Sequence, residues 1–135
     1  MSNLQYFTYP GYGEEALEKH KYSQAVRIGD RIECSGQGGW DRATSKITED
    51  LGAEIDQAFE NVDVAVKAAI GKGWSQVFRM TTYHVVLNEE IYVRMKMNID
   101  KWLPDHKPIW TCIGVAKLAF PGMNVEIEVA AYDPK

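Results

Sequence analysis

Pro108-Ile109-Trp110-Thr111-Cys112-Ile113-Gly114-Val115-Ala116-Lys117-Leu118, then Ala119-Phe120-Pro121-Gly122, then Asn124-Val125-Glu126-Ile127-Glu128-Val129-Ala130-Ala131-Tyr132, is the stretch that decides the fold. Both arms are rich in strand-forming residues and read as a final pair of strands, Ile109 to Leu118 and Asn124 to Tyr132. Pro121-Gly122 stands where a type II turn needs a proline and then a residue at positive φ. In the second arm Val125, Ile127, Val129 and Ala131 share one face by alternation, and Glu126 and Glu128 share the other. Such a strand lines a core with one side and holds carboxylates on the opposite side.

Working outward, Tyr22 to Ile28 and Arg31 to Gly36 read as strands joined at Gly29-Asp30, a two-residue loop suited to a tight hairpin. Gly36-Gln37-Gly38-Gly39-Trp40 reads as a flexible loop. From Leu51 to Gly71, Ile55, Ala58, Phe59, Val62, Ala65, Val66 and Ala69 recur at helical spacing, with Asp50 as N-cap. Val77 to Leu87 is a long strand. Asn88 caps a second helix with Glu89 and Glu90 in its first turn, where carboxylates favour the dipole. Its buried face is Ile91, Tyr92, Met95, Ile99, Trp102 and Leu103, and Pro104 ends it. The order β-β-α-β-α-β-β predicts an α+β fold, one sheet with both helices on a single face. Two helices leave the other face, with Thr82 and Tyr83, to be covered by a further copy of the chain.

The 135 residues suit a single domain over 1–135 that buries a core unaided. The N-terminal region carries neither a secretory nor a mitochondrial leader pattern, and no run approaches the ~20 apolar residues that span a bilayer. Cys34 and Cys112 both sit in strand-like runs and read as reduced thiols, so the expectation is a cytoplasmic protein without membrane contact. A net charge of −4 opposes a general affinity for nucleic acid. The only basic cluster, Lys19-His20-Lys21, is short enough to be a solvated loop. His20, His84 and His106 fit no metal-ligand spacing, so no metal and no cofactor is expected.

Taken together, Tyr22-Ser23-Gln24-Ala25-Val26 with Gly29, Ser35-Gly36-Gln37, Thr81-Thr82, the Pro108 stretch and Glu126-Ile127-Glu128 resemble the Rid family (YjgF, historically endoribonuclease L-PSP) of reactive-intermediate deaminases. The resemblance implies a chorismate-mutase-like fold with one mixed sheet. It also implies a homotrimer with ligand clefts at subunit boundaries. Typical members bind the carboxylate of a 2-imino acid with an arginine, and water attacks the C=N carbon to release ammonia. The arginine position here holds Trp110. By the same resemblance Glu126 positions or deprotonates the water, Tyr22 and Cys112 line the cleft, and Gly36 and Gln37 border it. Arg94 lies near an asparagine position of the second helix, as a relocated cation or as a solvated helix residue.

A guanidinium pairs bidentately with a carboxylate, and loss of one partner of a buried pair costs roughly 2–5 kcal/mol. Trp110 offers one N–H and an apolar ring instead. The expected activity is therefore imine or enamine hydrolysis on an apolar or aromatic ligand. A non-catalytic ligand-binding or chaperone-like trimer is the alternative, and an endoribonuclease the weaker one. Glu126 and Glu128 stand about 7 Å apart by strand rise: Glu126 reads either as a general base or water-positioning group or as an ion-pair partner for Arg or Lys of a neighbouring subunit, and Glu128 as such a structural partner. Trp40 is a lid, an aromatic wall or a plug at a subunit contact.

Overall fold

Short-range signals set the helix starts. Asp50 accepts from the Ala53 N–H at 3.1 Å, and Asn88 from the Ile91 N–H at 3.0 Å. The computed structural model describes all residues, Met1–Lys135. Its elements are β1 (Gln5–Phe7), α1 (Tyr12–Glu15, prolonged by a wider turn to His20), β2 (Ala25–Ile28), β3 (Arg31–Cys34) and β4 (Gln37–Gly38). After these come α2 (Leu51–Ala68), β5 (Val77–His84), α3 (Glu89–Trp102), β6 (Ile109–Gly114) and β7 (Val125–Tyr132). No helix is long and apolar enough to cross a membrane.

The strands form one seven-stranded sheet in the order β1-β2-β3-β7-β5-β6, with β4 also pairing β7. Only β5 and β6 run parallel, so the sheet is mixed, as expected. The hairpin at Gly29-Asp30 forms as read, with Ile28 opposite Arg31 and Gly29 at φ 61°. Gly122 takes φ 86°, as a type II turn requires. The apolar faces of α2 and α3 close on one side of the sheet over Ile32, Val77, Met80, Ile127 and Val129, within a single cluster of 26 buried residues.

Several expectations change, and on α3 Tyr92 is exposed rather than part of the buried face. The last two strands are not neighbours: β7 lies between β3 and β5, and β6 sits outside β5. The chain adds β1 and α1 before Tyr22. The stretch Gln37–Trp40 is not a flexible loop, for it is buried and Gln37–Gly38 pairs β7. Its glycines serve close packing: a Cβ on Gly38 would lie 2.6 Å from the Trp40 ring, and one on Gly39 would lie 2.2 Å from the Glu54 carbonyl oxygen. Finally, Thr82 is fully buried on the helix side, and only Tyr83 of that pair faces away.

The face away from α2 and α3 exposes apolar side chains. Ile109 is 66% exposed and Tyr132 56%, with Ile28 and Ile113 also exposed. Arg27 of β2 anchors the C-terminal end of the chain, pairing with Asp133, which also accepts from Gln76 Nε2 at 2.7 Å.

Candidate functional site

Glu126 lies opposite Gly38 of β4 and Tyr83 of β5, so its side chain leaves the sheet on the face away from α2 and α3. Gly36 leaves room for it, since a Cβ there would stand 1.9 Å from Glu126 Oε1. The carboxylate borders a cavity of about 280 Å³ lined by Tyr12, Tyr22, Ser35, Gly36, Trp40, Ala119, Phe120 and Met123. Burial raises its pKa, and Glu128 adds a smaller push in the same direction. No hydrogen bond opposes the rise, and the group is a carboxylate of increased basicity.

Aromatic rings build the walls. Tyr12 stacks on Trp40 at 3.7 Å between centroids and meets Phe120 edge-on at 6.4 Å. The hydroxyls of Tyr12 and Tyr22 share a hydrogen bond of 2.7 Å. Burial, then that bond, pushes the Tyr12 hydroxyl well above the ordinary tyrosine value, so it stays protonated. Trp40 forms part of the cavity wall, is 2% exposed and donates to Tyr9 Oη at 3.0 Å.

Two fully buried polar residues of α2 hold the loops that carry these walls. Asn61 donates to the carbonyls of Gly38 and Trp40 at 2.9 and 2.8 Å and accepts from Arg42 at 2.8 Å. Glu54 accepts from the backbone N–H and the side-chain amide of Asn124 at 2.7 and 3.0 Å, fixing the end of the Ala119–Asn124 turn. Both satisfy groups that would otherwise be buried without partners.

Trp110 and Cys112 stand elsewhere. They register with Met80 and Thr82, on the helix side of the sheet, opposite to Glu126. Trp110 Nε1 donates to Thr82 Oγ1 at 2.9 Å, and the same oxygen lies 2.9 Å from His84 Nε2. Burial lowers the pKa of His84, keeping it neutral. The Tyr92 ring meets Trp110 at 6.1 Å, and contact with Cys112 raises the Tyr92 hydroxyl. Arg94 directs Nε and a terminal nitrogen at the two oxygens of Asp56, bracing α3 on α2.

The structure thus brings Tyr22, Gly36 and Glu126 together, gathers Trp110 and Cys112 with Tyr92, and holds Arg94 in the helix layer. The Gln37 side chain is fully buried beside the cavity, accepting from Tyr9 at 2.7 Å and donating to Gln24 at 2.8 Å. Tyr12, Phe120, Met123, Glu54 and Asn61 were absent from the sequence reading of the site. Glu54 and Asn61 left a signal, two polar residues seven apart and flush with the apolar face of α2. Cys34 is inert, its thiol pushed by burial up to about 12. Nowhere do three His, Cys, Asp or Glu side chains converge as metal ligands would.

Residues 13–133 match the family model described as endoribonuclease L-PSP. The RutC family protein YjgH of Escherichia coli K12 is 29% identical over 127 residues, covering 94% of each chain. The 2-iminobutanoate/2-iminopropanoate deaminase of the same strain is 27% identical over 113 residues, 82% of this chain and 85% of that one. A solved structure of protein YJGH superposes with a TM-score of 0.84 at 27% identity over 99% of both chains. With the family model spanning nearly the whole sheet and both long helices, the chain belongs to the endoribonuclease L-PSP family, the Rid or YjgF family.

Proposed function

We propose that the protein is a trimeric hydrolase of imines or enamines that acts on an apolar or aromatic ligand at its subunit boundaries. The observation that carries this reading is the half-buried Glu126 carboxylate, free of hydrogen bonds that would lower its basicity, in an aromatic cavity. The likeness to a 2-iminobutanoate/2-iminopropanoate deaminase supports the C=N chemistry. Glu126 takes a proton from water as the water oxygen bonds to the C=N carbon and the π electrons move to nitrogen. The proton then passes to that nitrogen, Glu126 carries the remaining hydroxyl proton to the nitrogen as well, and an oxygen lone pair closes the carbonyl as the C–N bond breaks and the neutral amine or ammonia leaves.

Trp110 in place of the carboxylate-binding arginine argues for a ligand without that carboxylate. Because Trp110 and Glu126 leave one sheet on opposite faces, a site containing both takes them from two copies of the chain. Release of ammonia or amine from a panel of freshly generated imines, by the parent and by Glu126→Gln, tests the reading. Turnover of aryl or alkyl imines in preference to 2-iminobutanoate supports it, and equal turnover by Glu126→Gln sinks it. Ligand-induced melting shifts with no turnover across the panel would favour a non-catalytic binding trimer. RNA retention at moderate salt would revive the ribonuclease reading, which the net charge of −4 opposes.

A further inference from the structure

The Glu126 cavity has one ionisable charge, and it is negative. Its walls carry the rings of Tyr12, Tyr22, Trp40 and Phe120 and the thioether of Met123, with no lysine, arginine or histidine among them. The second cluster, around Trp110, adds the indole, the Tyr92 ring and the Cys112 thiol, again without a free cation. Arg94 of the same helix as Tyr92 is taken up by both oxygens of Asp56. His20 and Lys46 line an adjoining cavity of about 440 Å³ that shares Tyr12, Trp40 and Phe120 as walls. A negative carboxylate among electron-rich rings attracts cations by direct charge and through the ring quadrupoles. It repels carboxylates.

We propose that this cavity takes a carboxylate-free organic cation, an iminium or ammonium ion, paired with Glu126 and enclosed by Tyr22 and Phe120. The inference rests on the reading of this cavity as a ligand site and narrows the ligand to a charge class. It suits the hydrolytic chemistry, because an iminium carbon is more electrophilic than that of the neutral imine. The carboxylate that pairs with the cation is also the base that takes the proton from water. A cavity of about 280 Å³ admits a benzyl-sized cation.

The test is titration of the intact oligomer with benzylammonium, benzyl alcohol and benzoate, followed by calorimetry. Benzylammonium should bind at least tenfold tighter than benzyl alcohol, and benzoate should be weakest. Glu126→Gln should lower the benzylammonium affinity at least tenfold and leave benzyl alcohol unchanged. Its melting curve establishes that the variant is folded. Phe120→Leu, which keeps bulk and removes the ring, should weaken benzylammonium several-fold more than the alcohol. Benzyl alcohol or benzoate binding as tightly as the cation would overturn the proposal. So would undiminished cation binding by Glu126→Gln, or no binding of any probe. Cation binding with no turnover of any iminium leaves this inference standing and removes the hydrolase reading. Turnover of imines without cation binding does the reverse.

Discussion

Glu126 and Gly36 form a pair in which neither residue can change freely. The Glu126 carboxylate occupies the space a side chain at position 36 would need, 1.9 Å from its Cβ. Gly36→Ala should therefore displace the carboxylate and lower turnover nearly as far as Glu126→Gln, roughly 10²–10⁴-fold for loss of a general base. Steady-state rates for the two variants check this, and an active Gly36→Ala would show that Glu126 need not rest there. The raised pKa of Glu126 makes a second prediction, with a sign. A carboxyl group that binds its proton more tightly folded than unfolded contributes most to stability below its unfolded pKa. That contribution is lost as pH rises through the folded pKa. Glu126→Gln, always neutral, should melt above the parent at pH 7, and the gap should close as the pH falls below the unfolded carboxylate value. Turnover should rise with pH through the same raised pKa, because only the anion takes a proton from water. Melting and rate profiles over this range check both signs.

At the scale of elements, α2 works as a frame for the site. Its buried Asn61 holds the carbonyls of Gly38 and Trp40, and Asn61→Ala would leave both without their partner. Each buried polar group left unpaired costs about 1–3 kcal/mol, which urea unfolding should report, and the loosened Trp40 wall should also weaken ligand binding. Arg94 and Asp56 offer a contrasting case between α2 and α3. Both are more than a third exposed, so solvent screening limits their pair to about 0.2–1 kcal/mol. Arg94→Ala should lose this small amount and keep turnover, while Asp56→Ala should lose more because it also takes the 2.8 Å acceptor from the buried Asn98 amide. A turnover loss in Arg94→Ala alone would place its guanidinium at the ligand. What the sequence made legible follows from range. The caps Asp50 and Asn88, the helical spacing from Ile55 to Val66 and the alternation in β7 are local, and each appears as read. The insertion of β7 between β3 and β5 is a pairing of distant segments that no local pattern encodes. Tyr12 escaped notice because its helix of four residues is too short to show a period. The fate of Gln37 was hidden for a similar reason, since its partners Tyr9 and Gln24 come from separate segments.

For the whole molecule, the decisive geometry is that β5 sits between β6 and β7 and fixes which way each neighbour points. Trp110 is in register with Met80, and Glu126 with Tyr83. An odd step along β5 therefore separates the two half-sites onto opposite faces, and no side-chain rotation within one chain unites them. The exposed Ile109, Ile113, Ile28 and Tyr132 on the Glu126 side give a further copy an apolar surface to cover. We expect sedimentation at micromolar concentration to give a trimer, and a stable monomer would end the shared-site reading. A trimer alone does not establish that its clefts are shared, but mixed subunits would. In a cleft that takes Glu126 from one copy and Trp110 from the next, Glu126→Gln and Trp110→Ala subunits damage different halves. Each pure variant then lacks an intact cleft. Refolded together in equal amounts, random assembly into rings with one cleft per boundary leaves about a quarter of the clefts with both residues native. Turnover, or benzylammonium binding if no substrate is found, should therefore return to about a quarter of the parent level in the mixture while both pure variants stay low. A site built within one chain cannot be repaired in this way, because every subunit carries one lesion. Undiminished turnover or binding in pure Trp110→Ala, with the mixture at about half the parent level, would assign Glu126 and Trp110 to separate sites and leave the Glu126 cavity to act alone.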